Sequence, residues 1–72
     1  MKRGIQVRLS EQSGISEAMI SMILNGKRYP GRINAQVLAD LTDTDISIWI
    51  NLDLREIERA LNRWDPMRPQ AN

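Results

Sequence analysis

Apolar residues recur along the chain at intervals of three and four, which is the spacing of one face of an α-helix. No stretch keeps the strict alternation of a half-buried strand, and the chain has no phenylalanine. Ile5 and Leu9 are four residues apart and predict a short helix that ends at Gly14. Glycine suits that end because it adopts positive φ without a steric penalty.

The next apolar cluster carries stronger boundary signals. Ser16 is a good N-cap because its hydroxyl can accept an unpaired amide proton of the first helical turn. Ile15 before this cap and Ile20 after it match the hydrophobic staple. The predicted helix runs to Asn25-Gly26, which is typical of a C-terminal stop.

A loop is predicted at residues 27–31, and three further helical segments follow it. The third helix is marked by apolar residues at helical spacing, which are Ile33, Val37, Leu38 and Leu41. A short helical turn, capped by Thr44 or Asp45, holds Ile46, Trp49 and Ile50. A last helix, residues 53–64, begins with Asp53 and Glu56 as a variant capping box. Its apolar positions are Leu54, Ile57, Leu61 and Trp64. The fold class predicted is all-α, a small helical bundle.

Composition narrows the possible functions. With 72 residues, one domain is expected at residues 1–64, followed by a mobile tail at 65–72. Cysteine and histidine are both absent, so disulfides, the commonest metal ligands and the commonest general base are missing. We expect no enzyme, no cofactor, no metal and no small-molecule substrate. No apolar run approaches a membrane span and no signal-peptide core follows residues 1–4, so a cytoplasmic location is expected.

Charge is distributed unevenly between the two halves of the chain. Residues 1–32 carry a net charge of +4, and residues 33–72 carry −3. Such an asymmetry suits a protein that presents one face to a polyanion. Arg55, Arg59 and Arg63 form a stripe on the last helix that we interpret as an ordinary solvated face. Acidic residues 40, 43 and 45 lack the glycine and glutamate of a calcium loop and are interpreted as capping or solvated residues.

The first two predicted helices meet the demands of a helix-turn-helix motif. Ser10 is small where the helices must approach, Gly14 permits the turn, and Ile15 is apolar after it. The combined pattern is Leu9-Ser10, Gly14-Ile15-Ser16, Ile20-Ser21, Ile23 and Asn25-Gly26-Lys27. It resembles the lambda-repressor-like helix-turn-helix family, also called Cro/CI or XRE-type, over roughly two-thirds of the chain.

The resemblance implies double-stranded DNA as a partner. It implies that Gln6 binds a phosphate and that Ser16, Glu17 and Ala18 face the major groove. Ser21 and Met22, one turn later, would reach base edges or the neighbouring backbone. The loop residues Lys27, Arg28 and Tyr29 would bind phosphates, and Arg32 would reach the minor groove.

Two features depart from the family pattern. Family members usually have a full helix before the position of Gln6, where five residues stand here. We expect the last helix to cover the core instead, either within one chain or from a dimer partner. The second departure is that residues 17, 18, 21 and 22 include none of the Arg, Asn or Gln side chains that make most bidentate base contacts.

Two functional hypotheses follow from these features. The first is a sequence-specific DNA-binding transcriptional regulator, a repressor of bacteriophage or mobile-element type. It would bind operator DNA as a homodimer, with dimer contacts through Leu54, Ile57, Leu61 and Trp64. The alternative is a protein-interaction module, such as an antitoxin or an inhibitor, on a degenerate helix-turn-helix fold.

Overall fold

A computed structural model describes residues 4–64, and the tail predicted at 65–72 lies outside those residues. The described chain is all-helical, as predicted. Its five helices are α1 (Ile5–Ser13), α2 (Glu17–Leu24), α3 (Gly31–Thr42), α4 (Ile46–Ile50) and α5 (Leu54–Arg63).

Three of these helices begin at side-chain caps expected from the sequence. The Ser16 hydroxyl accepts a hydrogen bond from the Met19 amide at 3.2 Å. Asp45, rather than Thr44, caps α4 by accepting from the Ser47 amide at 2.8 Å. Asp53 accepts from the amide of Glu56 at 3.3 Å, and the Glu56 carboxylate faces Arg59 at 3.5 Å.

One core gathers side chains from all five helices. Its largest fully buried members are Leu9, Ile20, Ile23, Leu38, Trp49, Ile57 and Leu61. Trp49 lies at 0% exposure, and its indole N–H donates to Thr44 Oγ1 at 3.0 Å. The Thr42 hydroxyl donates to the Leu38 carbonyl at 2.7 Å, so Thr44 is the donor in the 2.9 Å contact between the two threonines. This chain of hydrogen bonds satisfies the one polar group of the Trp49 side chain, its indole N–H, and pairs the hydroxyls of both threonines.

The buried face of α3 differs from the face predicted. Ile33 is 81% exposed, so the prediction that it belongs to the apolar face is wrong. The buried positions are Ala35, Leu38, Ala39 and Thr42. Two alanines on this face allow close helix packing, which a pattern counting large apolar residues does not detect.

Helix α5 packs against the core of its own chain. Ile57, Ala60 and Leu61 are each 1–2% exposed. The sequence left two arrangements open, in which the last helix covers the core of its own chain or that of a dimer partner. The structure has the first of them.

Candidate nucleic-acid interface

The turn between α1 and α2 is held by three short hydrogen bonds. Gly14 has φ 79°, and its amide donates to the Ser10 carbonyl at 2.9 Å. The Ser10 hydroxyl reaches across the turn and donates to the Ile15 carbonyl at 2.5 Å. The Ile15 amide donates to Ser13 Oγ at 3.1 Å. The small size of Ser10 suggested only that it leaves space between the helices. Its hydroxyl also joins α1 to the last part of the turn.

Helix α2 turns one face to the core and the other to solvent. Ile20, Ile23 and Leu24 are buried, as the helix-turn-helix pattern requires. On the outer side, Ser16, Glu17 and Ala18 are exposed, and Ser21 and Met22 are partly buried. The face expected to meet base edges is thus accessible, and it carries one acidic residue and no basic residue.

The hydroxyl oxygens of two serines on this side already accept hydrogen bonds from within the protein. Ser16 Oγ accepts from the Met19 amide, and Ser21 Oγ accepts from the Asn25 side-chain amide at 3.3 Å. Each hydroxyl proton stays available for donation to a ligand acceptor. This arrangement suits contacts with phosphate or carbonyl oxygens.

The C-terminus of α2 is closed by a Schellman motif. The Lys27 amide donates to the Met22 carbonyl at 2.8 Å, and the Gly26 amide donates to the Ile23 carbonyl at 3.0 Å. Asn25 adds a side-chain bond to the Ser21 carbonyl at 2.8 Å. Gly26 has φ 72°, in the left-handed region that the motif requires. The start of the following loop is therefore rigidly joined to α2.

Helix α5 also supports this end of α2. A Cβ added to Gly26 would lie 2.9 Å from Leu54 Cδ1. The first residue of α5 thus packs directly over the α2 C-terminus. Local sequence patterns did not predict this contact, because the two residues are far apart along the chain.

The loop after α2 and the first turn of α3 present three cations without an ion pair in the described part of the chain. Lys27, Arg28 and Arg32 are exposed, and none of them forms an ion pair within residues 4–64. Tyr29 is 65% exposed, whereas Pro30 is buried and anchors the loop to the domain. No acidic residue occurs in the sequence between Glu17 and Asp40. This stretch of the sequence therefore carries an excess of positive charge, which suits a polyanion.

The remaining predicted site residues lie apart from this loop in the sequence. Gln6 is partly buried in the first turn of α1. Among the four residues expected at a dimer contact, Ile57 and Leu61 are buried in the core of their own chain, so a partner could reach them only if that core opened. Leu54 is 40% exposed, and Trp64 is partly buried with its indole N–H unpaired within the described residues.

The carboxyl of Asp45 has a lowered pKa. Hydrogen bonds from the backbone and then the side chain of Ser47 lower the pKa of its carboxyl below the ordinary value of 3.8. Its role is to cap α4. Within residues 4–64, no group of histidine, cysteine or acidic residues is arranged to hold a metal ion, and no helix has the length and apolar character to cross a membrane.

The two packed helices, the exposed outer face of α2 and the basic loop after it define a helix-turn-helix protein. A family model described as helix-turn-helix matches residues 1–49. The chain belongs to this family, the XRE-type, lambda-repressor-like DNA-binding regulators. Neither a curated protein nor a solved structure matches it.

Proposed function

We propose that this protein is a sequence-specific transcriptional regulator that binds operator DNA as a homodimer, as a repressor of bacteriophage or mobile-element type. The observation that carries the proposal is the group of exposed cations Lys27, Arg28 and Arg32, which form no ion pair within residues 4–64. They lie in the loop after α2 and in the first turn of α3. A location in the cytoplasm is part of the same proposal.

The cationic loop would contact the DNA backbone beside the groove that α2 enters. Phosphate contacts set the register and orientation of a protein on the duplex. The Schellman motif at Gly26 holds the loop at a set position relative to α2, so phosphate contacts by the loop would also orient the helix. Lys27, Arg28, Tyr29 and Gln6 are the proposed phosphate contacts.

The outer face of α2 would read base edges with modest discrimination. Glu17 can accept a hydrogen bond from a cytosine amino group, and Ala18 or Met22 can contact a thymine methyl group. Ser16 and Ser21 retain hydroxyl protons for donation. Because none of these makes a bidentate contact with guanine or adenine, Arg32 would add specificity by sensing the shape of the minor groove.

Two copies are needed to cover an operator with two half-sites. Residues 4–64 measure 29 Å along their longest axis. Half-sites on one face of the duplex are about 34 Å apart, so each copy would occupy one of them. With Ile57 and Leu61 buried in the core, the exposed Leu54 and the accessible part of Trp64 are the proposed dimer contacts.

The test is selection of bound sites from random double-stranded DNA, repeated at several salt concentrations. Enriched inverted repeats are expected, with affinity that falls as salt rises. Lys27→Ala and Arg28→Ala should weaken binding to all sequences and lower the salt slope by about one each, whereas Arg32→Ala should also relax sequence preference.

Arg63→Ala is the matched control for these variants. It removes the same charge from the far end of α5, roughly 14 Å along the helix axis from the end that packs on Gly26. It should leave binding unchanged. Absence of salt-sensitive binding by the unaltered protein would refute the proposal. A stoichiometric protein partner would then favour the interaction module.

A further inference from the structure

The most exposed large apolar side chain among residues 4–64 lies next to the proposed minor-groove arginine. Ile33 is 81% exposed in the first turn of α3, and it follows Arg32 directly. The other large apolar side chains exposed in the described chain range from 40% to 65%. A single exposed apolar residue is common on protein surfaces, so its surroundings decide whether it has a role.

The charge of the neighbouring sequence favours a nucleic acid over an apolar protein surface. The cations Lys27, Arg28 and Arg32 all lie within six residues of Ile33, and the sequence has no acidic residue from 18 to 39. Tyr29, 65% exposed, adds a second large side chain on the other side of the buried Pro30. Apolar side chains among unpaired cations suit a ligand that combines negative charge with apolar edges.

We propose that Ile33 is a further DNA-contacting residue, which packs against apolar groups of the duplex while the neighbouring cations bind phosphates. DNA offers two such groups, the C–H edges of deoxyribose and the methyl group of thymine. This inference rests on the proposed function. The apolar contact of Ile33 would contribute to affinity without releasing counterions.

The two kinds of contact respond differently to salt. Loss of a phosphate contact reduces the slope of log K against log salt by about one. Loss of an apolar contact lowers affinity equally at every salt concentration, since it releases no counterions. Partial burial of the three carbons that alanine lacks gives an expected loss of about 3- to 10-fold.

The experiment titrates a fluorescent duplex of the most enriched selected sequence with the unaltered protein, Ile33→Ala and Arg32→Ala across a salt series. Ile33→Ala should bind more weakly with an unchanged slope, and Arg32→Ala should bind with a reduced slope. Ile50→Ala is the matched apolar control, since Ile50 is 43% exposed at the end of α4 and has no proposed contact with DNA, and it should bind normally. A random-sequence duplex serves as the probe if selection enriches no single sequence.

A second arm distinguishes the two apolar groups. If Ile33 contacts a thymine methyl, replacing thymine by uracil in the duplex should reduce the difference between the unaltered protein and Ile33→Ala. If it contacts deoxyribose, that difference should persist in both duplexes.

Misfolding is a poor explanation for a loss of affinity in this variant. Ile33 contributes little to the core at 81% exposure, and alanine has the higher helix propensity. A thermal unfolding curve checks that the variant is folded. Unchanged affinity of folded Ile33→Ala, with normal salt-sensitive binding by the unaltered protein, would overturn this inference and leave the proposed function standing. Absence of salt-sensitive binding by the unaltered protein would instead refute the proposed function.

Discussion

Replacement of Ile57 by valine tests whether α5 belongs to the core of a single chain. Ile57 is 1% exposed, and the change removes one buried methylene group. Such a change costs about 0.5–1.5 kcal/mol. A domain of 72 residues has a free energy of unfolding of about 4–11 kcal/mol, so the loss is measurable without unfolding the protein.

The assay is thermal unfolding followed by circular dichroism across a roughly hundredfold range of protein concentration. A loss of 1 kcal/mol lowers Tm by about 4–8 °C in a domain of this size. Because association makes Tm depend on concentration, homodimer formation can shift the curves of both proteins. The difference in Tm between the unaltered protein and Ile57→Val should nevertheless stay constant if the contact lies within one chain.

Ile33→Val is the matched control because it removes the same group from a side chain that is 81% exposed. It should leave Tm nearly unchanged. The placement of α5 would be refuted if Ile57→Val cost no more than Ile33→Val. It would also be refuted if its cost appeared only at high protein concentration, where a partner chain would supply the contact.

Three further predictions concern the turn and the α4 cap. Ser10→Ala keeps the small size but leaves the partly buried Ile15 carbonyl without its hydroxyl donor, so urea unfolding should show a loss of about 1–2 kcal/mol. Gly14→Ala should cost about 1–2 kcal/mol in the same assay from backbone strain at φ 79°, since no atom within 4 Å would obstruct the added Cβ. Asp45 has a lowered folded-state pKa, so its stabilising effect is complete above the unfolded value of 3.8 and is lost as pH falls through the folded value. The stability difference between the unaltered protein and Asp45→Asn should therefore shrink in acid, and equal differences at pH 3 and pH 6 would contradict the capping role.

Local sequence signals predicted most of the helix boundaries. The caps Ser16, Asp45 and Asp53 and the stop at Asn25-Gly26 act through hydrogen bonds to residues at most five positions away, so short windows of sequence contain the necessary information. The family resemblance depended on the same short-range spacing, and the family model confirms it over residues 1–49.

The candidate site was predicted in part. The exposed side of α2 follows from its 3.6-residue period, and the basic loop is visible in the sequence as a run of cations. The unpaired state of those cations was not predictable, because it depends on where the acidic residues of other helices lie after folding.

By itself, the sequence determined the helical content, the helix-turn-helix and the basic loop after it, because each depends on spacing and caps within a few residues. Tertiary structure decided the rest. It placed α5 against its own core and Leu54 over Gly26, and it left Ile33 in solvent while the alanines of α3 were buried. The physical reason is that burial depends on which surfaces meet across the fold, and an apolar residue in a helical pattern does not specify its partner. In this protein the packing of the helices buried Ile57 and Leu61 and left Ile33 exposed, close in sequence to the cationic loop.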